Sequence, residues 1–144
     1  VYATDLANEL VSGCSRTPFA ITTNTDSTGA AVALANNSVL SIAILDVGTV
    51  SGTNPTMDLK IQSNTTSATT GFTDVTGATF TQVTTSQQRQ IITFQLPSGH
   101  SYARVTGTVG ATNPNFATCV SIFSTKKSVA ASGKEAGYDR SPST

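Results

Sequence analysis

Residues 38 to 63 read Ser-Val-Leu-Ser-Ile-Ala-Ile-Leu-Asp-Val-Gly-Thr-Val-Ser-Gly-Thr-Asn-Pro-Thr-Met-Asp-Leu-Lys-Ile-Gln-Ser, two strand signatures joined by a turn. From Ser38 to Val50 apolar side chains fall on both faces, with Leu40, Ile42 and Ile44 on one and Ala43, Leu45 and Val47 on the other. Such a strand is expected near the centre of the fold, covered on both sides. From Thr56 to Ser63 the pattern alternates, Met57, Leu59 and Ile61 against Asp58, Lys60 and Gln62. That period of two predicts a half-buried strand with one wet face.

The turn between them has an echo. Gly48-Thr-Val-Ser-Gly-Thr-Asn-Pro-Thr-Met57 aligns without gaps on Gly107-Thr-Val-Gly-Ala-Thr-Asn-Pro-Asn-Phe116, agreeing at six of ten positions. Both copies close one apolar segment and open the next. Gly permits turn dihedrals, while Pro fixes its own φ and moves the preceding Asn out of the right-handed helical region. Two equivalent corners are predicted, with Asn54, Pro55, Asn113 and Pro114 as candidate partner contacts at one end of the fold.

Working outward, Thr17 to Asp26 gives a weak strand. Stronger candidates are Phe72 to Val75, Thr79 to Thr84, Arg89 to Leu96, Ser101 to Val109 and Phe116 to Ser124, separated by Gly, Pro, Asn, Ser and Thr. About seven or eight strands and no long helical period predict an all-β domain. The expected architecture is a β-sandwich, with a jelly roll as one form it can take. Thr (26) and Ser (17) supply 43 of 144 residues, and β-branched Thr suits strands. The sandwich is expected over residues 17 to 124, after a short arm at 1 to 16 and before a tail at 125 to 144. In the arm Leu6, Leu10 and Val11 have helical spacing, with Gly13 as a stop. The tail holds six of the sixteen charges, Lys126, Lys127, Lys134, Glu135, Asp139 and Arg140, and is expected to be flexible until a partner orders it. Tyr2, Leu6 and Leu10 in the arm, with Lys126, Lys127, Tyr138 and Arg140 in the tail, are the candidate contacts there.

Charge narrows the function classes. Lys and Arg balance Asp and Glu at eight each, so the basic patch that would offset nucleic-acid phosphates is not expected. No run of about 18 apolar residues suggests a membrane partner. His100 stands alone in a Pro-Ser-Gly-His turn, no Gly-x-Ser-x-Gly elbow is present, and Asp26, Asp46, Asp58 and Asp74 are isolated along the chain. No enzyme, cofactor or metal site is expected. Cys14 and Cys119 match neither a redox nor a zinc spacing. They are expected as small buried apolar residues, with a disulfide between the first segment and the last strand as the alternative. Arg104, between Ala103 and Val105 in a strand, is expected to pair with a strand neighbour or stack on a ring.

The stretches Gly48 to Ser63, Gly71 to Phe80 (Gly-Phe-Thr-Asp-Val-Thr-Gly-Ala-Thr-Phe) and Ser101 to Val105 (Ser-Tyr-Ala-Arg-Val), in that order, resemble small structural proteins of tailed bacteriophages. The resemblance covers about residues 38 to 124 and rests on turn and strand patterns. It implies a decoration or cement protein on the outside of the capsid, in a particle assembled in the host cytoplasm. The implied partners are the major capsid protein and other copies of the chain. The alternative class is an adhesive module of a tail, fibre or cell surface that binds glycans.

Overall fold

The computed structural model describes residues 10–22, 27–34 and 40–125, with the side chains of 10, 11, 17–20 and 125 outside that description. Seven antiparallel strands form it: β1 (Leu10–Ile21), β2 (Ser27–Thr28), β3 (Val32–Ala33), β4 (Leu40–Asn64), β5 (Thr73–Thr79), β6 (Gln88–Gln95) and β7 (Tyr102–Thr125). Among the described residues there is no helix.

The two long strands organise everything else. The first half of β4 lies between β6 and the second half of β7, and β1 adds to the other side of β7. The second half of β4 lies between β5 and the first half of β7, whose free side takes β2 and β3. Each long strand therefore serves two sheets, one ordered β6-β4-β7-β1 and the other β5-β4-β7-β2/β3. Counting each half as a segment, and β2 with β3 as one, gives eight, in the neighbour order 1-8-3-6 and 2-7-4-5, which is the jelly-roll arrangement.

The corners are where the echo lies, and its two copies pair with each other. Val50 faces Phe116, Ser51 faces Asn115, Thr53 faces Thr112, Thr56 faces Gly110 and Met57 faces Val109. Exchanging each residue for its equivalent in the other copy turns this list into itself, so a local pseudo-twofold passes between Thr53 and Thr112. Asn54 (φ 51°) and Asn113 (φ 52°) both adopt the left-handed conformation, which Asn tolerates better than most residues. The expectation that each corner ends one strand and starts another is corrected here. Hydrogen bonding runs on through both corners with irregular register, so each is a bend within one strand.

Inward side chains from both sheets meet in one core. Ala43, Leu45, Val120 and Ile122 come from the first sheet; Met57, Leu59, Ile61, Ala103 and Val105 come from the second. Fully burying an aliphatic side chain of this size contributes roughly 1.5–3 kcal/mol, so this shared interior is what holds the layers together. Gly107 pairs with Leu59 in β4, and a Cβ there would lie 1.8 Å from the Asp58 carbonyl oxygen. Its glycine is a packing requirement.

Three more expectations need correction. Leu10 to Arg16 is strand rather than helical arm, because pairing with β7 satisfies the backbone of a segment too short to hold a helix alone. The sandwich thus takes in residue 10 onward. Thr79 to Thr84 is no separate strand: Thr79 ends β5, and beyond it only Val83 bridges to Met57. Of the segment Ser38 to Val50, the described residues 40 to 50 are buried on the inner face alone, as the outer side chains show below.

Candidate interaction surfaces

Because side chains alternate along a strand, β4 sets the character of both outer faces. In its first half the outward residues are Leu40, Ile42 and Ile44. Their ladder partners on β6 are Gln95, Thr93 and Ile91, and on the other flank Phe123 of β7 sits opposite Ile42. Leu40 is 54% exposed, Ile42 36% and Ile91 61%, while Ile44 and Phe123 are half-buried. These side chains form one apolar patch open to solvent. At its margin Asp46 and Arg89 make an ion pair of 2.6 Å, and that carboxylate raises the Arg89 guanidinium further.

In the second half of β4 the outward residues are Asp58, Lys60 and Gln62, and they are tied into a polar lattice. Arg104 stands opposite Gln62 on β7. Its Nε and Nη2 donate to Gln62 Oε1 at 3.2 and 3.0 Å, its Nη1 donates to the Thr69 carbonyl at 3.0 Å, and its guanidinium lies 4.1 Å from the Phe72 ring centre. Both expected roles for Arg104, strand pairing and ring stacking, are met together. Gln62 Nε2 donates to Asp74 Oδ1 at 2.9 Å, and Lys60 Nζ donates to Asp74 Oδ2 at 2.6 Å. The Lys60 bond, then the Gln62 bond, holds the Asp74 carboxyl below the usual carboxylate range. Asp58 accepts from Gln82 Nε2 at 3.0 Å on both oxygens.

Of the corner residues named as contacts, Asn54 and Asn113 are exposed, Pro55 is half-buried and Pro114 is buried. The register brings the two corners side by side, so three of the four can meet a partner, and Pro114 is withdrawn from that set by its burial. Leu10 stands in β1 opposite Thr125. Tyr2, Leu6, Lys126, Lys127, Tyr138 and Arg140 lie outside the described residues.

The polar groups with chemical potential are fastened. His100 closes its turn through a bond from its N–H to the Pro97 carbonyl, and its Nδ1 shares a 2.7 Å hydrogen bond with Ser63 Oγ. Ser63 is 0% exposed, so the pair anchors the turn to β4 instead of presenting a nucleophile. Arg16 is buried, bonding Ser27 Oγ and donating from Nη2 to the Ser27 carbonyl at 2.9 Å, and burial pushes its guanidinium down. Among the described residues, no three His, Cys, Asp or Glu side chains converge as metal ligands. Cys14 and Cys119 correct the buried expectation. Cys14 is exposed and Cys119 half-buried, and their sulfurs lie 3.9 Å apart on neighbouring strands.

The outer apolar patch was only half legible. The alternation put Leu40, Ile42 and Ile44 on one face but predicted that face to be covered, and only the fold shows that nothing in the described chain covers it.

No protein-family model matches this chain, and a comparison with curated proteins also finds no match. Among solved structures, a chain of the infectious bursal disease virus Gx strain superimposes with a TM-score of 0.56 at 10% identity, over 81% of this chain and 32% of that one. A family 16 carbohydrate-binding module (module 2) aligns with a TM-score of 0.45 at 16% identity, over 70% and 71% of the two chains. This chain spans about a third of the viral chain it resembles. The first likeness shows a shared fold, and the strand order of this chain is that of a jelly-roll β-sandwich.

Proposed function

We propose that this chain is a non-enzymatic structural protein of a virus particle, of the decoration or cement type found on tailed bacteriophage heads. It binds the outer surface of the capsid, contacts the major capsid protein and neighbouring copies of itself, and stabilises the shell by attachment.

The observation that carries this reading is the open apolar face of Leu40, Ile42, Ile44, Ile91 and Phe123. A contiguous apolar patch on a sheet marks an interaction surface, and each Å² removed from water there contributes roughly 25 cal/mol. Neutral Thr93 and Ser121 border the patch beside the paired charges of Asp46 and Arg89, giving it a polar rim of the kind interfaces have. Attachment of this kind needs no chemistry. A protein that binds assembled shells and not free subunits stabilises the shell by mass action, and many copies bridging neighbouring subunits add avidity. The sealed Ser63 hydroxyl and the separately paired carboxylates of Asp46, Asp58 and Asp74 support the non-enzymatic part of the reading. Against the glycan alternative, Phe80, Phe94 and Phe116 are buried and Phe72 lies under Arg104, which takes them away from a sugar-stacking platform.

The test adds purified chain to assembled heads of the encoding phage and to unassembled capsid protein. Saturable co-sedimentation with heads, with greater survival of heads on heating, is the expected result. Heads that neither retain the chain nor gain heat resistance would overturn it. Saturable binding to a glycan panel without head binding would move the chain to the adhesive class.

A further inference from the structure

Cys14 and Cys119 are separated by 105 positions in the chain, yet their Sγ atoms are 3.9 Å apart. A disulfide needs about 2.0 Å between sulfurs, so closing the gap takes side-chain rotation together with a small shift of the bulged β1 backbone. The local ladder explains the meeting. Cys14 is registered against Ser121, two residues along β7 from Cys119, so the two cysteines are diagonal neighbours on one face. A bulge between Cys14 and Arg16 bends β1 at this point, and the Cys14 thiol donates to the Arg16 carbonyl at 2.9 Å.

We propose that Cys14 and Cys119 are an oxidation site, closing to an intramolecular disulfide when the chain meets a small-molecule disulfide. The Cys14 thiolate, on the exposed side, attacks one sulfur of the oxidant, whose S–S bond breaks. One small thiolate leaves and takes up the proton that Cys14 lost. Cys119, deprotonated in turn, attacks Cys14 Sγ and expels the second small thiolate, which takes up the second proton. Two protein thiols are oxidised to one disulfide and one small disulfide is reduced to two thiols. In the reduced chain burial is the first cause that pushes the Cys119 thiol up, and ring closure requires its thiolate. Ring closure therefore speeds up as pH rises.

The bond acts on one of the two edges of the first sheet. β1 is that edge strand and pairs with β7 alone in that sheet. A staple from β1 to β7 fixes this edge and closes a long loop, which restricts the unfolded chain most. This inference is independent of the capsid-binding reading.

The experiment takes the reduced full-length chain through rising ratios of oxidised to reduced glutathione, read by intact mass, thiol count and urea unfolding. The expected product is a monomer lighter by two hydrogen atoms, with both thiols lost together, no glutathione retained and a higher urea midpoint that reverts on reduction. C119S should stop at a glutathione adduct on Cys14 with no gain in midpoint. Should C119S fold poorly, C14S at its exposed position gives the second arm: its remaining thiol must form no internal bond and its midpoint must ignore the oxidant. A wild-type chain that halts at the mixed disulfide, or that links into covalent dimers, overturns the proposal.

Discussion

The two halves of β4 invite comparison, because one strand dresses one outer face of the sandwich in Leu40, Ile42 and Ile44 and the other in Asp58, Lys60 and Gln62. Inward, the halves are alike: Ala43, Leu45 and Val47 bury as completely as Met57, Leu59 and Ile61. Outward, they differ in what they leave for others. The second face spends its polar groups on itself, with Arg104, Gln62, Asp74 and Lys60 linked in one chain of bonds. Among the described residues, the first face leaves apolar surface open. A partner on the first face, as proposed above, would account for one sheet differing so much from its twin.

The largest effect expected from this comparison sets two leucines of one strand against each other. Leu45→Ala empties a site that is 0% exposed and should cost about 2–5 kcal/mol in urea unfolding. Leu40→Ala, five residues earlier on the opposite face, should stay within about 0.5 kcal/mol. Equal losses would mean that the outer face is internal packing and not an interface. Next, Ile42→Lys combined with Ile91→Lys should weaken attachment to heads by about 2 kcal/mol, roughly 30-fold in Kd, with the urea midpoint little changed. Lys60→Ala on the other face should leave attachment where it was. Co-sedimentation across a concentration series measures both.

What was legible follows from the range of the forces involved. The inward sets Ala43-Leu45-Val47 and Met57-Leu59-Ile61 were readable because alternation is local. The twin corners were readable because Gly, Asn and Pro restrict their own dihedrals. Whether Leu40 and Ile42 would be covered was not, since a strand buried by its own fold and one buried by a partner carry the same letters. The conversion of Leu10 to Arg16 into strand depended on a β7 more than 100 residues away in the chain, which overrode the helical reading at Leu10 and Val11. The approach of Cys14 to Cys119 required the same pairing and a bulge that no residue pattern announces. Asn54 and Asn113 were named for the right corners, while the continuity of the ladder through them emerged only from the register.

A smaller effect is expected from the polar face. Arg104→Ala removes the ring stacking over Phe72 and the bonds to Gln62 and Thr69, and should cost about 1 kcal/mol in urea unfolding, since each contact is partly exposed. Arg104→Lys keeps the charge but cannot reproduce the fork to Gln62, so it should recover only part of the loss. Full recovery would reduce the lattice to a matter of charge alone.

The smallest effect belongs to pH. Asp74 titrates lower in the folded chain than in the unfolded one, chiefly because Lys60 and then Gln62 donate to its carboxylate. A depressed carboxyl contributes stability that is fully present above its unfolded value, near 3.9, and is lost as pH falls through the lower folded value. The acid limb of the stability curve should therefore flatten slightly in Asp74→Asn. Following the Asp74 carboxyl by NMR titration, Lys60→Met should move its midpoint upward more than Gln62→Ala does, in the order of the two hydrogen bonds. Because Lys60 and Asp74 are about half exposed, 1 M salt, with a Debye length near 3 Å, should shrink the Coulombic share of that difference. A midpoint that ignores both substitutions would show that water, and not the lattice, holds this carboxylate, leaving the polar face as self-contained only in appearance.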